Sequence, residues 1–289
     1  MVSSKLFFLS LLLIVVLAGC EQLSNETYHQ MLPDDRRKLS SQYTQLAKRL
    51  ESGSSKNMRL LEKAVRINNQ NDQAHFELSL PYLYNGIYDK WHYHISKATE
   101  LNPQAWQGWR GYYKLFYLRD YGAALFDLDA TDTLTIDQTD YAHNMSVDYL
   151  RGLCYMGLGN HDKAREYLKL YIEKETKDVG RKFIDETAFL YLAIMAYDEG
   201  DFDQALDDIN ESILYEEGQA EMYFYRAKSL VELNRFSEAK QAVQKADSLF
   251  NEGRYLRGYF HEMPNQIYKQ DLDQLKEKLK ANQIKEDLS

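Results

Sequence analysis

The sequence predicts an all-α protein built from stacked helical hairpins. Two stretches of 34 residues, Glu186–Gln219 and Ala220–Gly253, repeat one pattern: Phe189 aligns with Tyr223, Ala193 with Ala227, Phe202 with Phe236, Ala205 with Ala239, Ile209 with Val243, and Ser212 with Ala246. Apolar residues recur at helical intervals through most of the chain beyond Asp34, and helix-breaking proline is scarce, at 4 of 289 residues. Each repeat reads as two amphipathic helices joined by a short turn. Such a hairpin cannot bury its apolar face alone, so neighbours must stack.

Small residues set the contact inside each hairpin. Ala193 and Ala227 lie midway along first helices, and Ala205 and Ala239 open second helices, which lets paired helices approach closely. The turns are Glu199-Gly200-Asp201-Phe202 and Leu233-Asn234-Arg235-Phe236. Gly200 and Asn234 suit a left-handed helix end, glycine with the smaller penalty.

From the N-terminus, Lys5 precedes a twelve-residue apolar run, Leu6–Leu17, interrupted only by Ser10. This is too short for a membrane span and has the form of a secretion signal. It ends in Leu17-Ala18-Gly19-Cys20, which resembles the lipobox of bacterial lipoproteins. That resemblance implies removal of residues 1–19, a diacylglyceryl group on Cys20, and a polar tether over 20–33. Several acyl chains would hold the mature protein at a membrane where one would not. Glu21, in place of an Asp behind the cysteine, favours the outer over the inner membrane.

Helical spacing of Leu39, Tyr43, Leu46 and Leu50 predicts a helix over Asp34–Leu50, and Met58, Leu61, Ala64, Val65 and Ile67 predict its partner. Asp72–Pro103 is the next unit, with Pro81 predicting a kink in its first helix and Trp91 standing where a small residue would open its second. Gln104–Asn144 is divergent. Its Arg110-Gly111 aligns with Arg151-Gly152 of the clearer unit Met145–Asp178, and its turn at Arg119-Asp120-Tyr121 is one residue longer. Gly111, Gly152 and Ala193 are spaced by 41, seven more than 34. Seven residues are close to two helical turns, so longer second helices or loops are expected at Asp132–Asn144 and Lys177–Asp185. Beyond Gly253, the pattern predicts a helix from Arg254 to Phe260, a break at Pro264, and a polar-faced capping helix within Asn265–Gln283.

The period and the placement of small and turn residues resemble the tetratricopeptide repeat family. The resemblance covers most of 34–253, is clearest from 145 to 253 (units 145–178, 186–219 and 220–253), and leaves 254–289 as the cap. It implies a right-handed α-solenoid of about five units over 34–289. In this family the first helices line a groove. Carried onto this chain, the groove positions include Phe76, Leu80, Tyr84, Tyr112, Phe116, Tyr149, Leu153, Leu190, Ile194, Tyr197, Phe224 and Lys228, with about half expected in the core. Chaperone-binding members place Lys and Asn there to clamp a carboxylate, whereas this chain places mostly aromatic and aliphatic side chains. In plan the chain is similar to envelope lipoproteins of the NlpI and BamD type. The resemblance therefore implies a membrane-anchored scaffold or adaptor that binds an envelope protein or peptide and is compatible with self-association. The alternative is a glycan- or lipid-binding lipoprotein using Trp91, Trp106 and Trp109.

Other chemistry is weakly signalled. The net charge of −9 argues against nucleic acid. His92 and His94 are two apart on a helix and point away from each other, so they do not form a metal pair. Asp127, Asp129 and Asp132 lack the glycine and terminal glutamate of a calcium loop, and read as a solvated helix end. Cys154 lies in an apolar stretch and reads as a buried, inert thiol. Neither a phosphate loop nor a hydrolase elbow occurs. We expect no catalytic residue, cofactor or metal.

Overall fold

The computed structural model describes residues 28, 30–134, 141–214, 218–258 and 261–287, and side chains as far as 281. The expected signal segment, its cleavage site and Cys20 lie outside the described residues. Thirteen α-helices are present among the described residues, forming six hairpins and a final single helix where about five hairpins were expected. The chain divides into two compact units, Met1–Pro103 and Gln104–Ser289.

The first unit contains α1 (Pro33–Ala47), α2 (Ser55–Ile67), α3 (Asp72–Tyr84) and α4 (Tyr88–Leu101). Ser54 caps α2 by accepting from the Asn57 amide, and Asn71 caps α3 by accepting from the Ala74 amide. Ala47, Ala64, Ala74 and Ala98 are fully buried. Buried side chains also tie helices to backbone: Ser40 Oγ donates to the Ala64 carbonyl at 2.7 Å, and Asn57 Nδ2 donates to the Ala47 carbonyl at 3.0 Å. Pro81 lies in the last turn of α3 without ending it, because little helix remains there to disrupt. Trp91 is accommodated with only 1% exposure. Tyr28, within the expected tether, is instead buried against Leu39 and Ile67, so the ordered fold reaches back past Pro33.

The second unit opens on α5 (Pro103–Tyr113), which runs into a π-helical turn at Lys114–Leu118 before α6 (Tyr121–Thr131). The extra residue of this divergent turn is absorbed as the wider π turn, which closes on left-handed Arg119 at φ +54°. A two-stranded ribbon follows, β1 (Tyr141–Ala142) paired antiparallel with β2 (Met145–Ser146). Then come α7 (Val147–Gly157), α8 (His161–Asp178), a 3-10 turn at Arg181–Phe183, α9 (Thr187–Asp198), α10 (Phe202–Ser212), α11 (Ala220–Glu232), α12 (Phe236–Asn251) and α13 (Lys269–Asp287). The extra spacing has two sources: the ribbon after α6, and α8, which runs 18 residues against 11 in α10.

Gly152 shows why Arg-Gly recurs: a Cβ there would lie 2.7 Å from Leu168 Cγ, and one on Gly111 would lie 3.0 Å from Leu128 Cγ. The adjoining arginines are ion-paired. Arg110 and Lys114 converge on Asp127, which is 0% exposed and also accepts from Gln107 Nε2 at 2.7 Å. Asp127 is therefore the buried centre of a charge cluster and not a solvated helix end. Asp129 and Asp132 are exposed, and both pair with Arg151. Cys154 is buried, and burial pushes its thiol far above the usual range.

The expected helix over 254–260 is absent at its described positions. Arg254–Gly258 and His261–Tyr268 are non-helical, and α13 starts only at Lys269. Pro264 cannot continue a helix, and at Gly258 any Cβ would meet the His261 carbonyl oxygen at 2.5 Å.

Candidate functional site

The first helices of the second unit, α5, α7, α9 and α11, present aromatic and aliphatic side chains toward the non-helical stretch that precedes α13. The stretch is held mainly through its backbone. Arg119 Nη2 donates to the Glu262 carbonyl at 2.8 Å, and the Tyr191 hydroxyl donates to the Pro264 carbonyl at 3.3 Å. Asn265 Nδ2 donates to the Tyr225 hydroxyl at 3.4 Å. Glu221, 0% exposed on α11, accepts from the amides of Leu256 at 3.0 Å and Ile267 at 3.2 Å, clamping the stretch at two points. Burial raises the Glu221 carboxyl, while the three backbone amides that face it pull it back down.

The His261 ring sits among three aromatic rings, with centroids 4.9 Å from Phe116, 4.8 Å from Tyr117 and 6.4 Å from Tyr112. Its Nδ1 is buried and lacks a hydrogen-bond partner among the described residues. Burial, then Arg119, then His143 lower its pKa to about 4. The imidazole is thus neutral at neutral pH and occupies an aromatic pocket to which it is poorly matched.

Two clefts flank the stretch. One of about 310 Å³ lies between Leu153, Met156, Ile194, Met195 and residues 262–266. The other, about 700 Å³, runs between the ribbon, the starts of α7, α9 and α11, and Met263. At its wall Tyr149 donates to Thr187 Oγ1 at 2.7 Å, because the single hydroxyl hydrogen of Thr187 goes to Asp185.

Most of the groove residues named from the sequence are covered by the chain itself. Phe76 in the first unit is buried, while Tyr84 remains 38% exposed. In the second unit Tyr112, Phe116, Tyr149, Leu153, Leu190, Ile194 and Phe224 are buried. Tyr149 therefore cannot act as an open groove contact: its hydroxyl is spent on Thr187 and its ring lies beside Tyr171 and Tyr191. Tyr112 and Phe116 meet His261, and Ile194 lines the smaller cleft. Tyr197 and Lys228 stay half-exposed, with Lys228 Nζ 4.1 Å above the Tyr197 ring and 4.7 Å above that of Tyr225. Burial lowers the Lys228 pKa.

Tyr191, Tyr225, Glu221 and Arg119 were not picked out from the sequence. Tyr191 and Tyr225 are themselves 34 residues apart, and both hydroxyls engage the same stretch, so the repeat spacing carried a signal for them. Nothing in the sequence pointed to Glu221, whose partners are backbone amides 35 and 46 residues away. Trp91 is buried in the first unit and offers no sugar platform.

In the first unit His94 pairs not with His92 but with His75. The Asn69 carbonyl can only accept, so His75 Nε2 carries a hydrogen and His75 Nδ1 accepts from His94 Nδ1 at 2.9 Å. Burial, His75 and Lys90 lower His94 to about 4. Among the described residues no group of three or more His, Cys, Asp or Glu side chains could hold a metal ion, and no helix is long and apolar enough to cross a membrane.

Residues 146–175 match the tetratricopeptide repeat family. No curated protein matches the sequence. Among solved structures, the chain is similar to PilW, described as a widely conserved type IV pilus biogenesis factor, at 19% identity and TM-score 0.59, over 74% of this chain and 94% of that one. It is also similar to Pseudomonas aeruginosa PilF, at 16% identity and TM-score 0.56, over 75% and 94%. A tetratricopeptide repeat protein from Parabacteroides merdae matches at 17% identity and TM-score 0.53, over 83% and 84%. These likenesses concern the fold.

Proposed function

The chain is a tetratricopeptide repeat protein, and from that premise we propose that it is a lipid-anchored, non-enzymatic scaffold of the bacterial envelope whose second unit binds a non-helical segment of another envelope protein. The observation that carries this reading is the seating of 261–268 on the first helices. Those contacts go mainly to backbone carbonyls and amides, groups that any non-helical peptide presents. The half-exposed Tyr197 and Lys228 continue the same surface beyond the seated stretch. The anchor rests on Leu17-Ala18-Gly19-Cys20 and its short apolar leader.

The test has two arms. Cys20→Ala should leave the leader uncleaved or move the protein out of the membrane fraction, and normal processing with normal fractionation would remove the anchor from the proposal. A photo-crosslinking residue at Tyr197 should trap an envelope protein in cells, while the same residue at Phe126, 72% exposed on α6, should not. Equal trapping at both positions would place the partner elsewhere.

A further inference from the structure

The stretch His261–Tyr268 is built to be held by its backbone and is ill-suited at one side chain. Arg119, Tyr191 and Glu221 engage the Glu262 carbonyl, the Pro264 carbonyl and the Ile267 amide, contacts indifferent to sequence. Pro264 is buried on the face and sacrifices no donor there. Three residues before it, His261 puts a polar ring with an unpartnered buried Nδ1 among Tyr112, Phe116 and Tyr117. A pocket of three aromatic rings favours an apolar or aromatic side chain over an imidazole whose nitrogen has lost water without replacement. The cleft of about 310 Å³ alongside residues 262–266 leaves room for an incoming chain to engage before the resident one leaves.

We propose that His261–Tyr268, whose backbone turns at Pro264-Asn265 with the Gln266 amide donating to the Met263 carbonyl at 3.3 Å, is a resident, displaceable occupant of this face, standing in for a non-helical partner segment that carries a large apolar side chain three residues before a proline. The inference rests on the reading that this face binds non-helical segments, and adds its specificity and its self-occupation. Tethering gives the resident a high effective concentration, so a weakly matched stretch keeps the face covered until a better-matched one arrives.

The probe is a fluorescent synthetic peptide with the sequence of residues 257–268, in native form and with His261→Phe, titrated against the intact chain. The Phe peptide should bind at least about tenfold more tightly than the native peptide, because only it fills the pocket without stranding a polar nitrogen. Placing His261→Phe in the chain itself should improve the resident and lower capture of either peptide by at least about tenfold. His261→Leu in the chain should do the same to a smaller degree, which guards against a misfit of the larger ring. Arg119→Ala removes a contact that serves resident and peptide alike, so the preference for the Phe peptide should persist in it. Equal affinity of the two peptides, both captured by the native chain, would overturn the specificity and leave the peptide-binding reading standing. Failure of the Phe peptide to bind the intact native chain at any accessible concentration would overturn both.

Discussion

Two kinds of contact coexist in the second unit. Between paired helices the contact is limited by single atoms: Leu168 lies where a Cβ on Gly152 would go, and Ala193, Ala205, Ala227 and Ala239 are 0% exposed. Between the first helices and 261–268 the contact is a few hydrogen bonds to backbone and a ring pocket holding an unpartnered imidazole nitrogen. The first kind has no slack and tolerates no substitution of volume. The second is made of interchangeable parts. A repeat stack can thus be rigid where it must hold its shape and replaceable where it meets a peptide.

The sharpest test of the rigid region is its buried charge. Asp127→Ala would strand Arg110 and Lys114, and should cost about 3–5 kcal/mol in denaturant unfolding. Ala193→Leu should cost about 1–3 kcal/mol, since the fully buried site has no room for added methylenes. A loss below that range would show slack where the account allows none.

Acidification acts on the replaceable region through His261, and on the first unit through His94, both histidines held below their ordinary value. His261 faces Arg119 and His143, and His94 faces His75 and Lys90, and each is lowered to about 4. The unfolded chain binds these protons more readily than the folded one. The associated stability is therefore complete above about pH 6.5 and lost as pH falls toward 4. Discounted for rings that remain half-exposed, the expected fall in melting temperature across this window is about 2–4 °C, the size that about 1 kcal/mol produces in a chain of this class. In His261→Phe the His261 share of that fall should disappear.

Tyr191→Phe removes one hydrogen bond to the Pro264 carbonyl and should cost only about 0.5–1.5 kcal/mol. Its signature should be a looser 261–268, with the helices unchanged. Lys240→Ala, on the exposed side of α12, should stay within about 0.5 kcal/mol.

The helices were legible because their signals are local. The alanines, the turn residues and the 34-residue period each act within a few turns of chain. Gly200 and Asn234 do adopt left-handed φ, at +84° and +57°. What the period could not convey was where the aromatic side chains finish. Tyr149 and Phe224 have the repeat positions of groove residues, yet burial is decided by neighbouring helices and by residues 254–258 and 261–268, which follow the last repeat. Asp127 was misread for a related reason. Its partners Arg110 and Lys114 are 17 and 13 residues upstream on another helix, and an acid beside other acids gives no local sign of them. Residues 254–260 have enough apolar residues to suggest a helix, but the described positions 254–258 are non-helical, with the Leu256 amide donating to Glu221.

The central claim is that the second unit holds a non-helical segment it can release. Hydrogen–deuterium exchange on the intact chain tests it directly, comparing the Ile267 amide, which donates to Glu221, with amides inside α9 such as Met195. A displaceable occupant opens locally, so Ile267 should exchange at least about tenfold faster than Met195, and faster still in Tyr191→Phe. Exchange of Ile267 at the rate of Met195, with both set by global unfolding, would make 261–268 a permanent part of the core and contradict the account.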